Sequence, residues 1–198
     1  MANPVTLNKK LNLVIPVDTD KGKIWIHSTP ISREIFESNY LLLTKTLANL
    51  YANNIGPSFA PRIALLSLKD TAKEMDETND ISSNLIQEIY RITNVLMPDP
   101  TGRWQTIPFV EAINKKLIDE QSLSEVENAI IYFIVASAVH LKSELQMAYL
   151  GLRNNWSAQT TLLTVTEYGN SLPTSTTDVN IEELQKTHLV QRALSVPS

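Results

Sequence analysis

The sequence contains no cysteine, which removes disulfides, thiolate zinc sites and cysteine nucleophiles together. Glycine is scarce as well, 5 residues of 198 against a usual share of about 7%. Glycine supplies the positive φ that tight turns and phosphate-cradling loops require. Its scarcity favours helix, and neither a phosphate loop nor a dinucleotide fingerprint is present. The three histidines, His27, His140 and His188, lie far apart. Only His140 has a carboxylate at helical spacing, Glu144, whereas a metal centre needs three or four such ligands. No metal and no cofactor is expected. Neither a Gly-x-Ser-x-Gly elbow nor a Ser-x-x-Lys signature occurs, so nothing in the spacing of residues points to an enzyme.

Concentrated charge of one sign is also missing. The formal net charge is −4, and the only adjacent basic pairs are Lys9-Lys10 and Lys115-Lys116. Nucleic-acid binders carry a basic stripe and membrane-surface helices a basic polar face, so neither partner is expected. No apolar segment follows a basic start in the first thirty residues, which argues against a signal peptide. The longest apolar run, Ala129–Leu141, is shorter than the ~20 residues needed to span a bilayer. It reads as a buried core helix of a soluble, intracellular protein.

What is present is helical periodicity. Hydrophobic residues make up 43% of the chain, near the ~45–50% of ordinary globular proteins, enough for one packed core. Leu11, Leu13 and Ile15, then Ile24-Trp25-Ile26, flank a polar turn and predict a small hairpin over about 11–27, with Pro16 marking an edge strand. Apolar stripes predict helices to about Ala52, from Phe59 to Met75 with Pro61 in its first turn, and over about Ile81–Leu96. Trp104–Ile107 reads as a short strand, and Pro108 opens a helix to about Lys116. Ser122-Leu123-Ser124-Glu125 predicts a capping box before the apolar run, with helix resuming to about Leu152. Thr164–Glu167 predicts a second box. The resulting expectation is mainly α: a single helical domain over 1–172, a Ser/Thr-rich linker over 173–180, and an amphipathic tail over 181–198.

Asp18-Thr19-Asp20-Lys21-Gly22 has some look of a calcium loop, but Lys21 stands where an oxygen ligand belongs and the twelfth position is Thr29 rather than Glu. A hairpin turn is the better reading. Asn155-Trp156-Ser157 is a formal glycosylation sequon, idle without secretion. Trp25, Trp104 and Trp156 fall near predicted element ends, where packing at the rim of the core with a satisfied indole N–H is the simplest role. Tryptophan is also over-represented at binding hot spots. Trp156, with Ile181, Leu184 and Leu189 of the tail, forms the candidate partner-binding set.

Several segments resemble the tail assembly chaperones of long-tailed, siphovirus-like bacteriophages. They are Ile26–Glu34, Ile92–Leu96, Glu125–Ile130 with its apolar run, Trp156–Thr161, Thr166-Glu167-Tyr168 and Ser171–Thr176. Together they cover roughly residues 11–176. The resemblance implies a small helical, non-enzymatic protein of the host cell cytoplasm that coats the tape measure protein, keeps it soluble and recruits tail tube subunits. It also implies absence from the finished virion and, in many members, a longer form made by ribosomal frameshifting. The chain departs from the pattern by its extra segment after the linker. A competing reading is a virion structural subunit, such as a head–tail joining or tail protein; a homo-oligomer is compatible with either.

Overall fold

The computed structural model describes residues 11–20, 22–52, 58–78, 80–141 and 143–173. Five strands, β1 (Asn12–Thr19), β2 (Gly22–Ser28), β3 (Thr93–Pro98), β4 (Trp104–Pro108) and β5 (Gln159–Thr161), form one antiparallel sheet in the order β4-β3-β2-β1-β5. The helices are α1 (Arg33–Ala52), α2 (Ala64–Met75), α3 (Ile81–Arg91), α4 (Phe109–Asn114), α5 (Glu120–Val139), α6 (Leu145–Ala148), α7 (Leu150–Trp156) and α8 (Val165–Ser171), with a 3₁₀ turn at Ala60–Arg62. Helix accounts for 58% and strand for 19% of this body. The expected mainly α domain with one small hairpin is therefore wrong: the fold is mixed α/β, and the hairpin supplies two inner strands of a larger sheet.

The strand alternation explains how the sheet is built. Leu13, Ile15, Val17, Ile24, Ile26 and Val95 point to one face and join the main helical core. Val14, Trp25 and Leu96 point to the other, where Tyr168, Val165 and Leu172 cover them in a smaller cluster. A strand buried on both faces loses its clean apolar/polar alternation. This is why residues 93–96 read as the end of a helix. The helix stops at Arg91, and Ile92 sits at φ −88, ψ 2. Thr93 then turns its hydroxyl back to the Ile89 carbonyl at 2.8 Å, and the β-branched pair Thr93 and Val95 continues as strand.

Pro16 does not mark an edge strand, since β1 lies between β2 and β5. However, β5 pairs only with Asn12–Val14, so Pro16 lies beyond its reach and no ladder donor is missing there. Pro61 occupies the 3₁₀ turn instead of the first turn of α2.

Helix α5 is the centre of the core. Ala129, Ile130, Ile131, Tyr132, Phe133, Ile134, Val135 and Ala136 are all inaccessible to solvent, and α1, α2 and the 3₁₀ turn pack around the helix. By length and composition it could cross a membrane, but more than half of that span is buried inside the body. The expected cap at Ser122 lies one turn too late: Asp119 is the N-cap and accepts from the Ser122 amide at 2.9 Å. The second capping box is present as expected. Glu167 accepts from the Thr164 amide at 2.8 Å, and Thr164 accepts from the Glu167 amide at 3.3 Å.

Candidate partner-binding surface

Trp156 closes α7, which ends because Ser157 adopts a left-handed conformation at φ 50, ψ 27. The indole packs partly buried against the main core, and its N–H donates to Glu125 Oε2 at 3.2 Å. Around it lies a polar cleft of about 240 Å³ lined by Arg62, Ser124, Glu125, Asn128, Asn155 and Trp156. Two of these side chains hold the backbone in place. Asn128 accepts from the Leu65 amide at 2.9 Å and donates to the Ser124 carbonyl at 2.9 Å. It thereby satisfies an amide in the first turn of α2, where the N-cap Ile63 offers no side chain to do so. Asn155 donates to the Ser58 carbonyl at 2.8 Å. The groups left facing the cleft are the Arg62 guanidinium and the Glu125 carboxylate, which form no ion pair with each other.

The other two tryptophans divide between the expected role and a departure from it. Trp104 begins β4 and donates its indole N–H to the Pro173 carbonyl at 2.7 Å. Trp25 lies within β2, not at its end, and stacks edge-on to Tyr168 with centroids 6.0 Å apart. Its indole N–H is buried without a partner. The other candidates, Ile181, Leu184 and Leu189, lie outside the described residues.

A second groove, of about 330 Å³, was missed by sequence reasoning. Tyr51, His140, Glu144, Met147 and Ala148 line it. Two of its lining residues join a hydroxyl relay through buried Tyr132: the Tyr51 and Tyr132 oxygens lie 2.6 Å apart, and Tyr132 donates to the Ala148 carbonyl at 3.0 Å. Burial pushes the Tyr132 phenol far above its usual range, so it stays neutral. In the groove wall Met147 of α6 is 68% exposed, and Leu141, in the α5–α6 connection, is 70% exposed. The only advance signal was that the apolar run outlasts the helix: α5 ends at Val139, which leaves Leu141 without a core to enter.

His140 and Glu144 do meet, at 3.3 Å, but the contact joins the end of α5 to the start of α6. No group of three or more potential metal ligands occurs among the described residues. Asp18 and Gly22 belong to the β1–β2 hairpin, where Gly22 takes φ 108 and Thr19 donates to its carbonyl at 2.7 Å. The carboxylates with displaced pKa are all held down: Asp80, Asp119 and Glu167 by helix-cap donors, Asp99 by turn donors, Glu88 by Arg91, and Glu144 by the Leu141 amide and His140. Each of these shifts accompanies a cap, a turn or a local pair.

No protein-family model, curated protein or solved structure matches this chain.

Proposed function

We propose that the chain is a non-enzymatic tail assembly chaperone of a long-tailed bacteriophage, acting in the host cytoplasm on the tape measure protein and helping to recruit tail tube subunits. The segment resemblance brings the reading forward. The observation that carries it is the groove lined by Tyr51, His140, Glu144, Met147 and Ala148, a largely apolar trough with Met147 exposed in its wall and Leu141 exposed next in sequence to its His140. A client-holding protein needs adaptable apolar surface at a stable body, and an unbranched thioether such as Met147 refits to differing side chains. The mixed α/β body departs from the all-helical form that the resemblance implies, so the reading rests on the surface and the segments, not on the fold class.

The test is coexpression with a tape measure protein, which this reading expects to be encoded as a very long helical reading frame downstream of the gene. The tape measure protein should stay soluble with the wild-type chain and precipitate when Leu141 and Met147 are both changed to Asp. Mass spectrometry of purified virions should then find the chain absent. Stoichiometric presence in the particle would replace this reading with that of a virion structural subunit.

A further inference from the structure

The cleft beside Trp156 is walled by three elements that hydrogen bonds hold in place. Arg62 comes from the 3₁₀ turn, Ser124, Glu125 and Asn128 from α5, and Asn155 and Trp156 from α7. Asn128 ties α5 to the start of α2 through the Leu65 amide, and Asn155 ties α7 to the Ser58 carbonyl. The Trp156 indole N–H fixes the Glu125 carboxylate through Oε2 at 3.2 Å. Its second oxygen, Oε1, has no partner among the described residues. The Arg62 guanidinium forms no ion pair there either and lies over the Phe59 ring, 5.6 Å from its centroid. A cation and an anion therefore line one cleft without meeting each other.

That pairing of charges restricts what fits. A simple anion would gain Arg62 but face Glu125, and a simple cation would meet the reverse. An apolar molecule would strip water from both charges and return no hydrogen bond. The volume, about 240 Å³, is below the ~300–1,000 Å³ of sites that hold drug-sized molecules and cofactors, so the occupant is small. We propose that this cleft binds a free α-amino acid as its zwitterion, with the carboxylate on Arg62 and the ammonium on Glu125. A guanidinium takes a carboxylate through two parallel hydrogen bonds. An ammonium has three donors, which the unused Glu125 Oε1, the Asn155 side-chain carbonyl and the Ser124 hydroxyl can accept. Helix α2 begins two residues after Arg62, and its positive end favours the carboxylate on that wall. The cleft shares no lining residue with the Tyr51–Met147 groove, so this inference is independent of the chaperone reading.

The experiment titrates the full chain with glycine, L-alanine, L-serine, L-leucine and L-glutamine, read by calorimetry and tryptophan emission. At least one should bind saturably below ~10 mM. The tightest is then compared with its amide, which lacks the carboxylate, and its N-acetyl form, which lacks the ammonium; each should bind about tenfold more weakly or worse. Two exposed positions are varied, with far-UV circular dichroism checking that each variant is folded. Arg62→Gln should weaken the amino acid about tenfold and erase its advantage over the amide. Glu125→Gln, which can still accept from the Trp156 indole, should erase its advantage over the N-acetyl form instead. This crossed pattern separates a bound zwitterion from a general loss of affinity. The proposal is overturned if none of the five amino acids saturates below ~10 mM, if the two blocked forms bind as well as the zwitterion, or if both variants bind it as the wild type does.

Discussion

The Nε2 atom of His27 lies 3.1 Å from the Leu163 carbonyl oxygen, and this contact ties the inner strand β2 to the segment that leads into α8. The same carbonyl accepts from Asn12 Nδ2 at 2.8 Å. His27 is fully buried and its Nδ1 has no partner. In the neutral ring Nε2 donates to Leu163; a second proton would put a cation with an unanswered donor beneath α8. Among the described residues, the positions that flank it on this sheet face, Asn12, Val14, Trp25, Asn94 and Leu96, carry no charge, and the titratable Tyr168 of α8 lies 6.3 Å away between ring centroids. Burial accordingly lowers the His27 pKa below 6.5.

The sign of the resulting pH dependence follows. The unfolded chain takes up the proton near pH 6.5 and the folded chain resists it, so stability is full above that value and falls as the pH drops toward the lower folded pKa. The melting temperature should decline from pH 7 to pH 5, and His27→Asn, whose amide still donates, should narrow that decline. Equal slopes in the two proteins would assign the acid sensitivity elsewhere.

Core packing gives a second prediction. Phe133 is fully buried on α5 and stacks at 5.5 Å, centroid to centroid, on Tyr149. Phe133→Ala should cost about 3–5 kcal/mol by removing the ring and leaving a cavity, read from urea denaturation. Val110→Ala, at a position 44% exposed, should stay within about 0.5 kcal/mol. Comparable losses at both positions would contradict the central placing of α5.

The tyrosine pair supplies a third. Tyr132 spends its one hydroxyl proton on the Ala148 carbonyl and so accepts from Tyr51, whereas the Tyr51 hydroxyl makes only the bond to Tyr132 among the described residues. Tyr132→Phe should therefore destabilise more than Tyr51→Phe, by about 1 kcal/mol per additional hydrogen bond lost. The double variant should cost less than the sum of the two, because both changes remove the same Tyr–Tyr bond. Strict additivity in thermal unfolding would show that the hydroxyls do not share it.

Most helices were legible because their apolar stripes bury on one side only: Leu42, Leu43, Leu47 and Leu50 of α1, and Leu65, Leu68 and Ala72 of α2, are the residues found inside. The buried run of α5 was equally plain. The sheet was not, because its strands depend on partners distant in sequence. β3 pairs with β2 across more than sixty residues, and β5 is three residues long, below any period that alternation could reveal. The cap of α5 was misplaced because Asp119 and Ser122 are both good N-cap residues, and only the backbone path separates them. Of the candidate surface, Trp156 could be found from composition. The Tyr51–Met147 groove could not, since its walls come from α1, the α5–α6 connection and α6, and α1 meets the others only in space.

The last prediction concerns how α8 seats on the sheet. Gly169 is buried, and a Cβ built there would stand 3.0 Å from Leu96 Cδ2 and 3.9 Å from Trp104 Cβ. Leu96 is 1% exposed and belongs to the small cluster with Val14 and Tyr168, so it has little room to retreat. Gly169→Ala sets a gain in helix propensity of up to about 1 kcal/mol against a contact that Leu96 must relieve, and the net change should be small. Gly169→Val adds two methyl groups in the same place and a poorer helix former. It should lift α8 from β3 and β4 and cost about 1–3 kcal/mol, the usual range for overpacking. Because Trp104 donates to Pro173 just past α8, and Trp25 packs on Tyr168 within it, the lift should also shift tryptophan fluorescence to the red in the valine variant alone. If Gly169→Val melted like the wild type with unchanged emission, α8 would not be held against the sheet, and the second face would be open.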